Sequence, residues 1–181
     1  MLKGLRIMCS RLLDQGPWPT MLWAADHLVR MTTGAPVRRL SEVTAGLHVG
    51  GQYRRHGWTR LAQRGITAVV NLRTEFDDNH AGIAPPRYLH LPTVDDTPPS
   101  LEDLHTGVAF IHEEIARGGG VYIHCGAGVG RAPALAAAYL VSTGLTPQQA
   151  WARIRAVRPF VRPRPAQIEQ IVRFAASLPA H

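Results

Sequence analysis

Residues 121–131 read Val-Tyr-Ile-His-Cys-Gly-Ala-Gly-Val-Gly-Arg and carry the strongest structural signal in the chain. A short apolar strand comes first, a glycine-rich loop follows it, and a helix is predicted to begin near Arg131. Backbone N–H groups that converge at a helix N-terminus form an anion-binding site. Gly126, Gly128 and Gly130 let the backbone approach an anion closely and adopt positive φ. The segment therefore predicts an α/β fold with an anion site in this loop.

Strands and helices alternate on both sides of this segment. Further strands are predicted at 47–49, 66–72 and 88–91, and helices at 58–64, 101–117, 131–143, 147–157 and 165–177. Pro92 is expected to end the strand before it. Ser100 with Asp103, and Thr146 with Gln149, are typical N-cap patterns for two of the helices. This alternation indicates a mostly parallel central sheet flanked by helices.

Residues 1–40 are predicted to form an N-terminal helical arm, and residues 41–181 the main domain. The apolar side chains of the arm recur at helical spacing: Trp18, Met21, Leu22, Ala25, Leu28 and Val29. We expect this apolar face to pack back onto the domain. The alternative is an amphipathic helix on a membrane surface, supported by the basic residues Lys3, Arg6 and Arg11.

Composition narrows the class of protein further. A chain of 181 residues with 45% hydrophobic and 18% charged residues is about one globular domain long, and its two cysteines cannot form a disulfide framework. A reducing, cytoplasmic compartment is therefore expected, with peripheral membrane contact through the arm as a further possibility. The net charge of +7 favours an anionic partner. No nucleic-acid-binding module is recognisable.

Cys125 is the candidate nucleophile of the loop. The loop amides, the helix dipole and Arg131 all favour its thiolate form, which is the reactive one. A thiolate below a bound phosphate is placed to attack phosphorus, and Arg131 can hold two phosphoryl oxygens. The phosphate-binding set is predicted to be the backbone of Gly126, Ala127, Gly128, Val129, Gly130 and Arg131. No cluster with metal-ligand spacing is present, and no cofactor is expected.

The pattern His124-Cys125-x5-Arg131 resembles the signature loop of the cysteine-dependent dual-specificity phosphatases, a branch of the protein-tyrosine phosphatase superfamily. The similarity extends from about Thr44 to Phe174. Segments 91–95, 121–125, 136–140 and 158–167 are similar to the phosphatidylglycerophosphate phosphatases of mitochondria and bacteria. The resemblance implies a catalytic domain at 41–181 that removes phosphate from a phosphorylated protein or an anionic phospholipid without a metal.

The resemblance also implies roles for residues outside the loop. The family places its general acid on a loop some thirty residues before the cysteine, where Asp95 and Asp96 both lie. The Thr-Val-Asp match favours Asp95, with Asp96 as the alternative. His124 is expected to orient the loop. The resemblance places Arg158, Arg162 and Arg164 beside the pocket, while Gln167 is expected to cap the last helix.

One position departs from the family pattern. Relatives carry serine or threonine after the arginine, where a hydroxyl supports the sulfur during breakdown of the phosphocysteine, and this chain has Ala132. Slow hydrolysis of the intermediate is the expected consequence. Two other functions stay open: a phosphate-binding pseudophosphatase, and a rhodanese-like sulfurtransferase, against which the upstream acid argues.

Overall fold

The structure, a computed structural model, describes residues 2–179, with side chains from Ile7 onward. Its core is a five-stranded sheet with the order β1-β2-β5-β3-β4. The strands are β1 (Glu42–Thr44), β2 (Leu47–Gly51), β3 (Ile66–Arg73), β4 (Arg87–Thr93) and β5 (Gly120–Cys125). All neighbouring pairs are parallel except β1 and β2. The predicted fold class, a mostly parallel sheet flanked by helices, is confirmed.

Seven α-helices accompany the sheet in the described part of the chain. They are α1 (Leu2–Gln15), α2 (Pro17–Thr33), α3 (Trp58–Ala62), α4 (Leu101–Ala116), α5 (Arg131–Ser142), α6 (Pro147–Val157) and α7 (Pro165–Ser177). Every residue of α5 from Arg131 to Val141 is buried, and the helix packs against α4, α6, α7 and the sheet. Helix α5 therefore lies at the centre of the helical layer, and this packing fixes the position of its N-terminus.

The strand that contains Pro92 is longer than expected. The prediction that Pro92 ends it is wrong, because β4 continues through the proline to Thr93. β4 is an edge strand that pairs with β3 alone, and an edge position tolerates a residue without an N–H donor. The extension matters for the site, because it carries the chain directly to the acid loop, residues 93–98.

The arm packs on the domain with the opposite face from the one predicted. Asp26 and Arg30 are 1% and 5% exposed, whereas Trp18, Met21 and Leu28 are 64%, 62% and 65% exposed. The expectation that the apolar residues face the domain is therefore wrong. Asp26 and Arg30 face the domain instead, because both charged side chains find polar partners there. We call Trp18, Met21 and Leu28 the arm face.

Polar contacts hold both arm helices in place. The Asp26 carboxylate accepts a hydrogen bond from the Val37 N–H (3.0 Å), and Arg11 of α1 donates to the Phe160 carbonyl (3.3 Å). The side chains of Lys3 and Arg6 lie outside the described part. None of the helices of the described residues is long and apolar enough to cross a bilayer.

Candidate active site

The signature loop, residues 125–131, connects the end of β5 to the start of α5. Its sharpest turn is at Gly128, which has φ +68°, and a Cβ there would lie 2.3 Å from the Gly50 carbonyl carbon. Glycine is therefore required at 128 by both conformation and space. Gly126 and Gly130 have no positive φ, so the expected conformational freedom is used only at the middle glycine.

The loop amides form a cluster of free donors. Among the described residues, none of the backbone N–H groups of residues 127–131 donates a hydrogen bond to another group of the chain. Cys125 is buried at the base of the same loop. Backbone N–H groups without acceptors at a helix N-terminus can bind an oxyanion, so the loop offers a site for an anion next to the buried Cys125.

Arg131 is fixed in place by a carboxylate on a neighbouring loop. It is 2% exposed, and its Nη1 and Nη2 each lie 2.9 Å from an oxygen of Glu75. Nη1 also donates to the Thr93 carbonyl (2.8 Å). These hydrogen bonds lower the pKa of Glu75 to about 2, so the pair persists at any physiological pH. Arg131 Nε is buried without a partner among the described groups, which leaves it for a phosphate oxygen.

The two candidate acids occupy different surroundings. An oxygen of Asp95 lies 2.9 Å from Arg131 Nη2, at the signature loop. Asp96 instead pairs with Arg164 (2.5 Å), and that hydrogen bond lowers the pKa of Asp96. Of the two carboxylates, Asp95 is the one that contacts the signature loop, so its position favours it for the acid role.

His124 lies behind the loop and cannot reach a substrate. The His124 Nε2 is 2.7 Å from Asp78 Oδ2, and both side chains are fully buried. Its ring packs edge-on against Tyr53 and stacks with Tyr122. These contacts fit the predicted orienting role, because they hold the residue next to Cys125 in one position.

The strand order of the sequence predicts that segment 73–78 lies near the mouth of the pocket, either to shape substrate entry or as a solvated loop, but it does not identify the contacts that Glu75 and Asp78 make. Both follow β3, and β3 is paired with β5, the strand that ends at Cys125. Carboxyl ends of adjacent parallel strands meet at one sheet edge, which is where such folds build their sites. The position of segment 73–78 directly after a buried strand therefore locates the segment, but it does not predict that Glu75 contacts Arg131 and Asp78 contacts His124.

The expectation that Arg158 lies beside the pocket is wrong. The side chain is fully buried behind the signature loop. Its Nε donates to the Gly128 carbonyl (3.2 Å), and it also donates to the Leu40 carbonyl. Its Nη2 is 3.5 Å from Asp26 Oδ2, and its guanidinium lies over Phe160. Burial lowers the pKa of Arg158, and Asp26 opposes that effect. Arg158 thus links the arm to the turn of the loop.

The remaining two arginines of that turn also have structural partners. Arg162 forms an ion pair with Asp14 of α1, and its N–H donates to the Val129 carbonyl (2.8 Å). Arg164 holds Asp96. Gln167 caps α7 as expected, since its Oε1 accepts from the Arg164 N–H (2.9 Å), and its Nε2 donates to the Thr97 carbonyl (2.9 Å). Gln167 therefore also anchors the acid loop.

The position after the arginine is closed to solvent. Ala132 is fully buried in the first turn of α5, and its methyl side chain offers no hydroxyl to the Cys125 sulfur. In the described residues no group of three or more His, Cys, Asp and Glu side chains is arranged to hold a metal.

Hydrolysis of a phosphate monoester through a cysteine needs a nucleophile, a cradle for three oxygens and a proton donor. The signature loop offers the first two, and the acid loop places Asp95 2.9 Å from Arg131. The family model for the dual specificity phosphatase catalytic domain matches residues 47–177, and the chain belongs to that family. It is a dual-specificity phosphatase that acts on phosphoprotein or phospholipid substrates.

Relatives of both substrate classes are similar to it. A phosphatidylglycerophosphate phosphatase of Arabidopsis thaliana is 27% identical over 164 residues, 87% of this chain and 71% of the relative. A phosphatidylglycerophosphatase and protein-tyrosine phosphatase of Mus musculus is 38% identical over 94 residues, 51% of this chain and 49% of the relative. The solved structure of PTPMT1 in complex with PI(5)P has a TM-score of 0.69 at 27% identity, covering 74% of this chain and 92% of that one.

Proposed function

We propose that the protein hydrolyses a phosphate monoester of a phospholipid through a cysteinyl-phosphate. The Cys125 thiolate attacks phosphorus, the bond to the leaving oxygen breaks, and Asp95 gives that oxygen its proton. Asp95 then removes a proton from water, which attacks phosphorus, breaks the S–P bond and releases inorganic phosphate. The free amides of residues 127–131 around Cys125 carry this proposal, because a developing phosphoryl charge is what they can stabilise.

The arm face favours a lipid over a protein substrate. Three large apolar side chains are exposed on α2, while the charged residues of the helix face the domain. A helix that displays an apolar face in a basic chain of net charge +7 suits the surface of an anionic membrane. Free Cys9 and Cys125 fit a reducing compartment, and we place the enzyme on the cytoplasmic side of that surface.

The acid assignment is testable with phenyl phosphate, whose leaving oxygen requires a proton. Asp95→Asn is expected to lower kcat by about 10²- to 10⁴-fold, the range for loss of a general acid. Asp96→Asn, which removes the same charge one residue along the acid loop, is expected to leave kcat within about threefold. Phosphate release by the purified variants between pH 5 and 8 measures both. Full activity of Asp95→Asn would reassign the acid to Asp96.

The same assay separates the proposed hydrolase from a phosphate-binding pseudoenzyme. Wild-type protein that binds phosphate but releases none from phenyl phosphate would contradict the proposal. In that case Ala132→Ser is the first variant to examine, because it restores the hydroxyl that related enzymes carry. Sulfur transfer from thiosulfate to cyanide would be the positive result for the rhodanese-like alternative.

Membrane contact is testable without removing the arm. The triple change Trp18→Ser, Met21→Ser and Leu28→Ser is expected to weaken binding to anionic vesicles about tenfold or more, because buried apolar area drives interfacial binding. Co-sedimentation with vesicles that contain phosphatidylglycerol gives the bound fraction.

The matched control lies on α7. Ile168→Ser with Val172→Ser removes exposed apolar side chains remote from the arm, and we expect it to leave vesicle binding unchanged. All variants should hydrolyse soluble phenyl phosphate like the wild type. Equal vesicle binding by the arm triple and the wild type would rule out membrane contact through the arm face.

A further inference from the structure

A basic cleft of about 430 Å³ opens next to the signature loop. Three arginines line it, Arg30, Arg54 and Arg55, and none of its lining residues is acidic. Its apolar walls come from Met31, Phe76 and Ile83. We call it the arginine cleft. Three guanidinium groups beside apolar side chains, with no carboxylate among them, describe a site for an anion that carries an apolar part.

Arg30 is the arginine of the cleft that lies on the arm, in α2. It is buried, yet it forms no ion pair with any carboxylate in the described part of the chain. Its Nη1 donates to the Gln52 carbonyl (3.0 Å), its Nη2 lies 3.2 Å from His27 Nδ1, and its Nε has no partner there. Burial lowers the pKa of His27, which keeps that ring neutral. A buried charge without a counter-charge is costly, and an anion in the cleft would relieve it.

The arginine cleft shares a wall with the signature loop. Gln52 lines the cleft, and its backbone N–H donates to the Gly126 carbonyl (3.1 Å). The Gln52 side chain accepts from Arg73 (2.8 Å), and Arg73 also donates to Glu75, the residue that holds Arg131. Phe76, directly after Glu75, forms part of the cleft lining. The arginine cleft and the signature loop are therefore in direct contact through Gln52.

We propose that the arginine cleft binds a second phosphate of the substrate, a phosphodiester in the same molecule as the scissile monoester. This rests on the proposed function, and it adds a binding site to it. Arginine pairs bidentately with phosphate, and Arg54 and Arg55 are exposed donors at the mouth. Met31 of the cleft lies on α2, the helix that carries the arm face, so a lipid in a membrane is the source of that diester.

The test compares two short-chain lipids that differ in the second phosphate. Dihexanoyl phosphatidylglycerophosphate carries a monoester and a diester, and dihexanoyl phosphatidic acid carries the monoester alone. Titrated into the Cys125→Ser protein, which cannot turn either over, the first is expected to bind about tenfold more tightly, because the arginines of the cleft can form charge-assisted hydrogen bonds with its second phosphate. Isothermal calorimetry below the micelle concentration measures both Kd values.

Two pairs of substitutions test whether the difference in affinity between the two lipids arises in the arginine cleft. Arg54→Gln with Arg55→Gln should remove the advantage of the bisphosphorylated lipid and leave phosphatidic acid binding within about twofold. Arg39→Gln with Arg60→Gln removes the same charge from exposed positions outside the cleft and should keep the advantage. Neither pair breaks a buried ion pair, so we expect all these proteins to fold.

Each outcome decides the proposal. Equal Kd values for the two lipids, or an advantage that survives loss of Arg54 and Arg55, would overturn it, as would the absence of binding by either lipid. Turnover of phenyl phosphate by the wild type reports the proposed function separately. If the wild type shows no turnover but the Cys125→Ser protein still binds the bisphosphorylated lipid more tightly, the proposed phosphate site in the arginine cleft is supported and the proposed hydrolase activity is rejected.

Discussion

Cys125→Ser is expected to lower kcat for phenyl phosphate by about 10⁴-fold or more, the scale observed when a nucleophile is removed from an enzyme. A serine hydroxyl stays protonated at neutral pH and is a far weaker nucleophile than a thiolate. The free amides and Arg131 stay in place, so inorganic phosphate should still bind to the variant. Phosphate release and calorimetric binding of phosphate measure the two effects separately.

The chain contains its own control for this substitution. Cys9 is a free, exposed thiol on α1, and Cys9→Ser is expected to leave both phosphate release and phosphate binding unchanged. Iodoacetate near pH 6 should inactivate the wild type and Cys9→Ser at the same rate, with protection by phosphate. Residual activity in Cys125→Ser close to that of the wild type would exclude a cysteinyl-phosphate.

The second large effect concerns the arm. Asp26→Ala is expected to destabilise the fold by about 3–5 kcal/mol, because it leaves the fully buried Arg158 without its carboxylate. The midpoint of urea unfolding measures the loss. Arg38→Ala, which breaks an exposed ion pair with Glu42, is the control and should shift the midpoint by a small fraction of that amount.

A double variant distinguishes loss of stability from loss of support for the signature loop. Asp26→Leu with Arg158→Met replaces both buried charges by apolar groups and should recover most of the stability. It cannot restore the hydrogen bond from Arg158 Nε to the Gly128 carbonyl. We therefore expect a stable protein in which phosphate protects Cys125 from iodoacetate poorly. Full protection in this variant would show that Arg158 contributes to folding alone.

The features that the sequence predicted are those with local causes. The bounds of α6 and α7 agree with the structure because a proline opens each helix, and in α6 the capping box of Thr146 and Gln149 forms as expected. Cys125 and Arg131 were identified because strand, loop and helix are contiguous in the chain. Gly128 was identified for the same reason, because the close backbone approach that it permits occurs within that loop.

The features that were missed depend on distant partners. The apolar face of α2 predicts that this face is buried. In the structure the polar face is buried instead, because its charged residues find partners in the domain, at Gln52 and Arg158. Glu75 and Asp78 gain their roles from the pairing of β3 with β5. Neither the register of two strands nor the counter-ion of a buried aspartate can be derived from local spacing.

One of these contacts determines when the arm can dock during synthesis of the chain. Asp26 precedes its partner Arg158 by 132 residues, so the ribosome has made most of the protein before the docked position of α2 becomes available. Closing so long a loop is slow, which makes docking of the arm a late folding event. In a nascent chain the turn at Gly128 therefore gains the support of Arg158, and α2 its docked position, only in the last steps of folding.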